Sequence, residues 1–263
     1  MGPGRRRRPL RRPARDRAPR RPRDRVTNRR DHRPRRTLEG RSVVLILAID
    51  TSTSAITVAL HDGTRAIAQG SHLDARAHTE WLAPLISTCL SDADKQPSDL
   101  TGVAFGVGPG PFTGLRVGMV TGLTMGHALG VPVHGVCSLD ALAAQAAELV
   151  ADGELLVATD ARRKEVYWAR YAVRSGSVER LTEPAVDRPA DLPDEVRALP
   201  SAGRGPVLYP ELFATALPVL DVDAAVLAAV AVARIETGEP MPVEPLYLRR
   251  PDALTTAERA ARK

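Results

Sequence analysis

Hydrophobic and polar positions alternate in two distinct rhythms from residue 43 onward. Val43 to Asp50 is a continuous apolar run closed by a carboxylate, the pattern of a buried strand. Ile56, Val58 and Leu60 then alternate with smaller or polar residues, predicting a second strand ending at His61. Asp62-Gly63 has the composition of a two-residue hairpin turn, with a third strand through Ile67 to Ser71. Trp81, Leu82, Leu85, Ile86, Cys89 and Leu90 return at helical spacing, and Pro84 predicts a helix that starts near Glu80 or kinks there. A strand over 102–107, a helix over 113–129 ended by Gly130, a strand over 131–136 and a helix with Ser138 as N-cap follow. Further on, an alanine-rich helix starts after Asp223 and ends at Gly238.

The pattern repeats. Leu155 to Asp160 followed by Glu165 to Arg170 aligns with Leu45 to Asp50 and Ala55 to Leu60 at a constant offset of 110 residues. Leu45/Leu155, Ala48/Ala158, Asp50/Asp160 and Ala59/Ala169 are identical across the two copies. Pro184, Pro189, Pro193 and Pro200 mark the second copy as loop-rich and degenerate.

The net charge of +6 is carried by one end. Residues 1–41 hold 18 of the 37 basic residues, all arginine, and only 4 of the 31 acidic ones, a net of +14. The remainder is therefore acidic, at −8. Residues 1–42 carry almost no large apolar side chains, so they are expected to be disordered and to add nothing to folding. Only 3 of the 37 basic residues are lysines, which fits GC-rich coding sequence read upstream of a true start at Val43 or Val44. An RNA-binding arm is the alternative. No signal peptide or membrane span is expected: the first apolar strand is too short, and the run over 117–136 is broken by polar residues and Pro132. Cys89 and Cys137 lack framework spacing and are expected to be buried free thiols in a cytoplasmic protein.

Three segments carry candidate chemistry. Asp50, Thr51 and Ser52 follow the first strand, where hydroxyls and amides could meet a phosphate; the alternative is a carboxylate that caps its own turn. Gly106 to Gly114 fails the nucleoside-triphosphate loop pattern, because no Lys-Ser or Lys-Thr follows, and Pro109 and Pro111 remove amides that a dinucleotide would need. Gly114, Gly118, Gly122 and Gly126 lie near one face of the next helix, which calls for a close neighbour to offset about 1 kcal/mol lost at each internal glycine. No Gly-x-Ser-x-Gly elbow occurs. Arg162, Arg163 and Lys164 read as a solvated hairpin tip, with contact to RNA phosphate as the alternative.

The segments Leu45–Thr53, Gly106–Arg116 and Pro245–Arg250 together resemble the TsaB or YeaZ family, the dimerization subunit of the bacterial tRNA threonylcarbamoyladenosine synthesis complex, over roughly residues 43 to 250. The resemblance implies an α/β protein with the duplicated actin, sugar-kinase and Hsp70-like fold: two mixed-sheet subdomains flanked by helices, over 43–152 and 153–263. It implies a non-catalytic scaffold that docks on the paralogous catalytic threonylcarbamoyltransferase and helps recruit the ATPase subunit. It meets tRNA only indirectly, forms a homodimer when the partner is absent and needs no cofactor, while leaving room for weak nucleotide contact at Asp50, Thr51 and Ser52. The catalytic paralogue binds its metal through two histidines four apart on one helix; here His78 is followed by Leu82, so no metal site is expected. The alternatives are a glycoprotease-type metallopeptidase and a small-molecule kinase of the same superfamily. His78, Trp81, Leu82, Leu85, Ile86, Arg116, Met119 and Leu123 are the expected partner interface, because the two helices carry more apolar surface than one domain should leave exposed.

Overall fold

The computed structural model describes residues 44–74 and 78–249; the arginine-rich segment lies outside them. The first half runs β1 (Ile46–Asp50), β2 (Ala55–His61), β3 (Ala66–Leu73), α1 (His78–Asp92), β4 (Gly102–Gly106), α2 (Phe112–Leu129), β5 (Val133–Val136) and α3 (Ser138–Ala147). The second half runs β6 (Gly153–Asp160), β7 (Val166–Arg174), β8 (Ser177–Arg180), β9 (Ala185–Asp187), α4 (Asp194–Arg197), β10 (Pro200–Ala202), α5 (Gly205–Leu208), β11 (Thr215–Ala216) and α6 (Ala224–Thr237).

The two sheets share one topology. The first has the order β3-β2-β1-β4-β5 and the second β8-β7-β6-β10-β11, with β9 added beside β7. In each, two antiparallel hairpins join a central strand that is parallel to the last two. This is the duplicated fold of the actin and sugar-kinase superfamily. The second copy is worn at its far edge, where β10 and β11 have three and two residues.

The repeat is offset by 110 residues along β1 and β6 but slips by one after the turn. Asp50 pairs with Thr57, whereas Asp160 pairs with Val166. Ala59 therefore corresponds to Trp168, not to Ala169 as constant spacing implies. Since strand side chains alternate faces, that single residue decides which one meets the core.

Most element boundaries follow local chemistry. Gly130 closes α2 in the left-handed conformation, and α6 runs from an N-cap at Asp223, whose carboxylate accepts from the Ala225 amide at 2.8 Å, to Gly238. Three expectations need correction. The β2–β3 loop spans Asp62 to Arg65 rather than two residues: the Asp62 carboxylate accepts from the amides of Thr64 and Arg65, which winds a wider turn. Helix α1 begins at His78 and carries Pro84 inside it. Ser138 is the first residue of α3 and Cys137 its N-cap, because the Ser138 hydroxyl is committed to Asp50 instead.

The glycine face of α2 lies on its own sheet. A Cβ at Gly122 would stand 2.4 Å from the Phe105 ring of β4, and one at Gly126 would stand 2.2 Å from Val133 of β5. Burial of Phe105 and Leu115 against this close seam compensates the poor helix propensity.

The remaining helices cross between halves. Helix α3 packs on β6, β7, β8 and β10, while α6 packs on the five strands of the first sheet. The strands of the first sheet end at Val136 and those of the second begin at Gly153, yet one core runs through both sheets, from Ile46 and Ala48 to Leu155, Tyr171 and Leu227. The second large core joins the first sheet to α1 and α2. After α6 the chain returns along β5: the Gly135 amide donates to the Met241 carbonyl, and the Leu246 amide donates to Val107 at 2.8 Å.

Candidate functional site

Two surfaces flank the N-terminal end of α2: a small cleft facing β6, and an apolar groove shared with α1. The cleft is lined by Ser52, Thr53, Ser54, Thr113, Asp160 and Arg204 among others, and Phe112 stands on its rim. The polar turn after β1 borders it as the sequence suggests, but the side chains of that turn point inward. Asp50 is 1% exposed. Its Oδ1 accepts from the Ser52 amide at 2.8 Å and the Ser52 hydroxyl at 2.7 Å, and its Oδ2 accepts from the Ser138 hydroxyl at 2.7 Å. Gly106 is required beneath it, since a Cβ there would stand 1.9 Å from Oδ2. Thr51 is committed too. Its hydroxyl donates to the Gly114 carbonyl at 2.7 Å and accepts from the Gly118 amide at 2.9 Å. Those two groups would bond directly in an uninterrupted helix, so Thr51 is a hydroxyl bridge inside the first turns of α2.

The expected phosphate contact at Asp50, Thr51 and Ser52 is thus corrected in its atoms. These side chains tie β1 to α2 and α3, and a ligand in the cleft would meet Thr53 and Ser54. Of the two cations in the cleft wall, Arg204 is neutralised from within, while Arg162 is paired more loosely and keeps most of its side chain in water. Arg204 Nε donates to Asp221 at 2.8 Å with a second bond beside it, and Arg162 lies 3.4 Å from Asp160. The cavity is about 170 Å³, below the roughly 300–1,000 Å³ of pockets that enclose a small-molecule ligand.

Burial raises the Asp50 carboxyl above its ordinary range, against the opposing hydrogen bonds from Ser138 and Ser52. The folded state therefore holds this proton more tightly than the unfolded state does. Stability from this group is greatest at low pH and declines as pH rises from the usual carboxylate range through the raised folded value. Asp50→Asn is expected to flatten that decline, leaving a thermal midpoint at neutral pH no lower than the native one. Melts over a pH series check it; a steep loss at all pH values would mean that the charge itself is needed.

The groove between α1 and α2 is lined by Thr79, Ala83, Phe112, Arg116, Val117 and Val120, with Leu82 at its floor. Of the residues expected at an interface, Trp81 is 42% exposed and Leu123 37% exposed, Arg116 is exposed and Leu85 half-buried. Leu82, Ile86 and Met119 are corrected: they are 2%, 7% and 5% exposed and belong to the protein's own core. The helical stripe that includes them is the face α1 needs for its sheet. Val120, 59% exposed, and Phe112, 47% exposed, supply outward apolar surface that the stripe does not single out. Arg116 lies over the Phe112 ring at 4.1 Å and donates to the Tyr247 hydroxyl at 3.1 Å, which fixes one end of the groove. Trp81 stacks on His72 at 4.0 Å. The His78 side chain is outside the described residues. Position 82 directs a leucine into the core where a second imidazole would be required, and no group of three or more His, Cys, Asp and Glu among the described residues is placed to hold a metal ion. No described helix is long and apolar enough to cross a membrane. Cys89 and Cys137 are buried free thiols whose burial raises them to about 11 and about 12.

The family model described as TsaD, tRNA N6-adenosine threonylcarbamoyltransferase, matches residues 72–204. A tRNA threonylcarbamoyladenosine biosynthesis protein TsaB from Bacillus subtilis is 33% identical over 62% of this chain and 69% of its own length. The crystal structure of YeaZ from Pseudomonas aeruginosa is 31% identical and superposes with a TM-score of 0.68 over 78% of this chain and all of its own. This chain belongs to the TsaB/YeaZ family. An uncharacterized Mycobacterium leprae relative is 45% identical over 80% of this chain, which spans just over half (56%) of that protein. Two of the segments that carry the family resemblance, Leu45–Thr53 and Gly106–Arg116, supply part of the cleft and the start of the groove, while Thr159, Asp160, Arg162, Arg204 and Leu220 of the second half complete the cleft.

Proposed function

We propose that this TsaB/YeaZ protein acts in tRNA threonylcarbamoyladenosine biosynthesis as a non-catalytic scaffold. It docks through the α1–α2 face on the paralogous catalytic threonylcarbamoyltransferase and supports threonylcarbamoyl transfer to N6 of the adenosine next to the anticodon. The observation that carries this reading is the contrast between the two surfaces. The cleft is small and its Arg204 is paired with Asp221, while Phe112, Val117 and Val120 leave an apolar groove open beside it, with Trp81 and Leu123 also exposed on the same two helices. A kinase would need more room for its nucleotide, and a metallopeptidase would need a second ligand where Leu82 enters the core. In this reading the ATPase subunit joins through the assembled pair, tRNA is met mainly through the partner, and the same face closes a homodimer when the paralogue is absent. Nucleotide contact is confined to the hydroxyls of Thr53 and Ser54 and is weak.

Co-elution of the full chain with its candidate paralogue tests the reading. A stable one-to-one complex with threonylcarbamoylation dependent on both chains is the expected result. Transferase or peptidase activity in this chain alone, or one bound zinc or iron per chain by elemental analysis, would overturn it.

A further inference from the structure

The turn between β6 and β7 is built at a cost that chain reversal alone does not require. Arg162, Arg163 and Lys164 have φ values of 62°, 54° and 62°, three consecutive left-handed residues without a glycine or asparagine among them. Most residues with a Cβ are disfavoured there; glycine, which lacks one, and asparagine, whose short amide bonds locally, would relieve the strain. The base of the turn is held firmly. The Ala161 amide donates to the Glu165 carbonyl and the Glu165 amide to the Arg162 carbonyl, each at 3.0 Å, and the Arg162 amide donates to Asp160 at 2.8 Å. From outside the hairpin, Arg249 donates to the Ala161 carbonyl at 3.0 Å and forms an ion pair with Glu165. All three basic residues are exposed, and the Arg162 side chain keeps 60% of its surface in water although Asp160 is near.

We propose that this strained, braced tip is a contact point for the phosphate backbone of RNA, resting on the tRNA role given above. A held backbone conformation keeps three exposed basic side chains together at one tip, fanned around the turn, a local positive charge that RNA phosphates can meet. The acidic background from residue 42 onward, net −8, disfavours RNA elsewhere on this part of the chain and so concentrates its approach at the tip. An anionic membrane surface is the poorer fit, because the turn offers no large apolar side chain to insert beside its cations.

The test uses the full chain, alone and with its paralogue, and measures tRNA affinity over a salt series for the native protein and for a triple variant, Arg162→Asn, Arg163→Asn and Lys164→Asn. Asparagine tolerates the left-handed backbone, so the thermal midpoint is expected to stay level or rise. The slope of log affinity against log salt should become shallower by about 2 to 3, with affinity at fixed salt at least roughly tenfold weaker. The arginine-rich N-terminal segment is present in both proteins, so its contribution cancels in the difference. If the asparagine variant melts early, the glutamine triple at the same positions replaces it. An unchanged slope, or tip-dependent binding to vesicles of anionic lipid in preference to tRNA, would overturn the proposal. Failure of the native chain to co-elute with its paralogue would instead overturn the docking reading, while the slope measured on the chain alone still decides the tip.

Discussion

Replacing Asp140 by alanine should lower the unfolding free energy by about 3 kcal/mol, the lower end of the cost of breaking a buried ion pair from one side. Asp140 lies in α3 and is 7% exposed. Its Oδ1 accepts from the Tyr171 hydroxyl at 2.9 Å, its Oδ2 accepts from Arg234 at 2.8 Å, and Arg180 stands 3.6 Å away. These partners come from β7, α6 and β8, so one carboxylate joins both exchanged helices to the second sheet. Tyr171 is 1% exposed, and burial followed by the nearby Asp140 charge keeps its hydroxyl protonated well above the ordinary range. Alanine leaves that hydroxyl without its acceptor. Arg234 keeps Glu239 at 3.1 Å, and the arginine side chains retain 21% and 33% exposure, which holds the loss near 3 rather than 5. Asp140→Asn keeps an acceptor for Tyr171 and should cost roughly half as much. Urea denaturation read by tryptophan fluorescence checks both; an alanine variant with the native midpoint would show that apolar packing alone holds the exchanged helices.

The second large effect concerns association. Leu123→Glu or Val120→Glu should weaken binding to the catalytic paralogue by at least about 2 kcal/mol, some thirtyfold, by placing an unpaired carboxylate at the centre of an apolar contact. At 37% and 59% exposure these positions accept a charge in the free subunit, so its melting should barely change. Leu82→Glu provides the contrast: at 2% exposure it should unfold the first half instead. Sizing with light scattering and titration calorimetry separates the cases. Native affinity in both surface variants would place the interface elsewhere on the molecule.

The different fates of Leu82 and Leu123 show where sequence reasoning stops. Both belong to apolar runs on adjacent helices, and helical periodicity marks each as facing something. Which one meets the sheet depends on how each helix is rotated on it. For α2 that rotation follows from the glycine face seating on Phe105 and Val133, a contact between residues distant in the chain. With this face inward, Val120 and Leu123 are left outside and Met119 is enclosed. The glycine spacing announces a close neighbour, but the sheet is identified only in three dimensions.

Local features were legible along the chain: the strand that ends at Asp50, the stop of α2 at Gly130, and the limits of α6 at Asp223 and Gly238. Caps, turns and side-chain periodicity act over a few residues, so they can be read without the fold. The duplication was legible for a related reason, since both copies must bury a central strand ending in an aspartate. The rest depends on how the two halves pack. Packing set the one-residue slip after Asp160, the crossing of α3 and α6 between sheets, the internal use of Asp50 and Thr51, and the meeting of Asp140 with Arg234 across 94 positions. Hydrogen bonds and burial depend on which distant surfaces meet, and a polar residue at a strand end has the same local signature whether it faces a ligand or its own core.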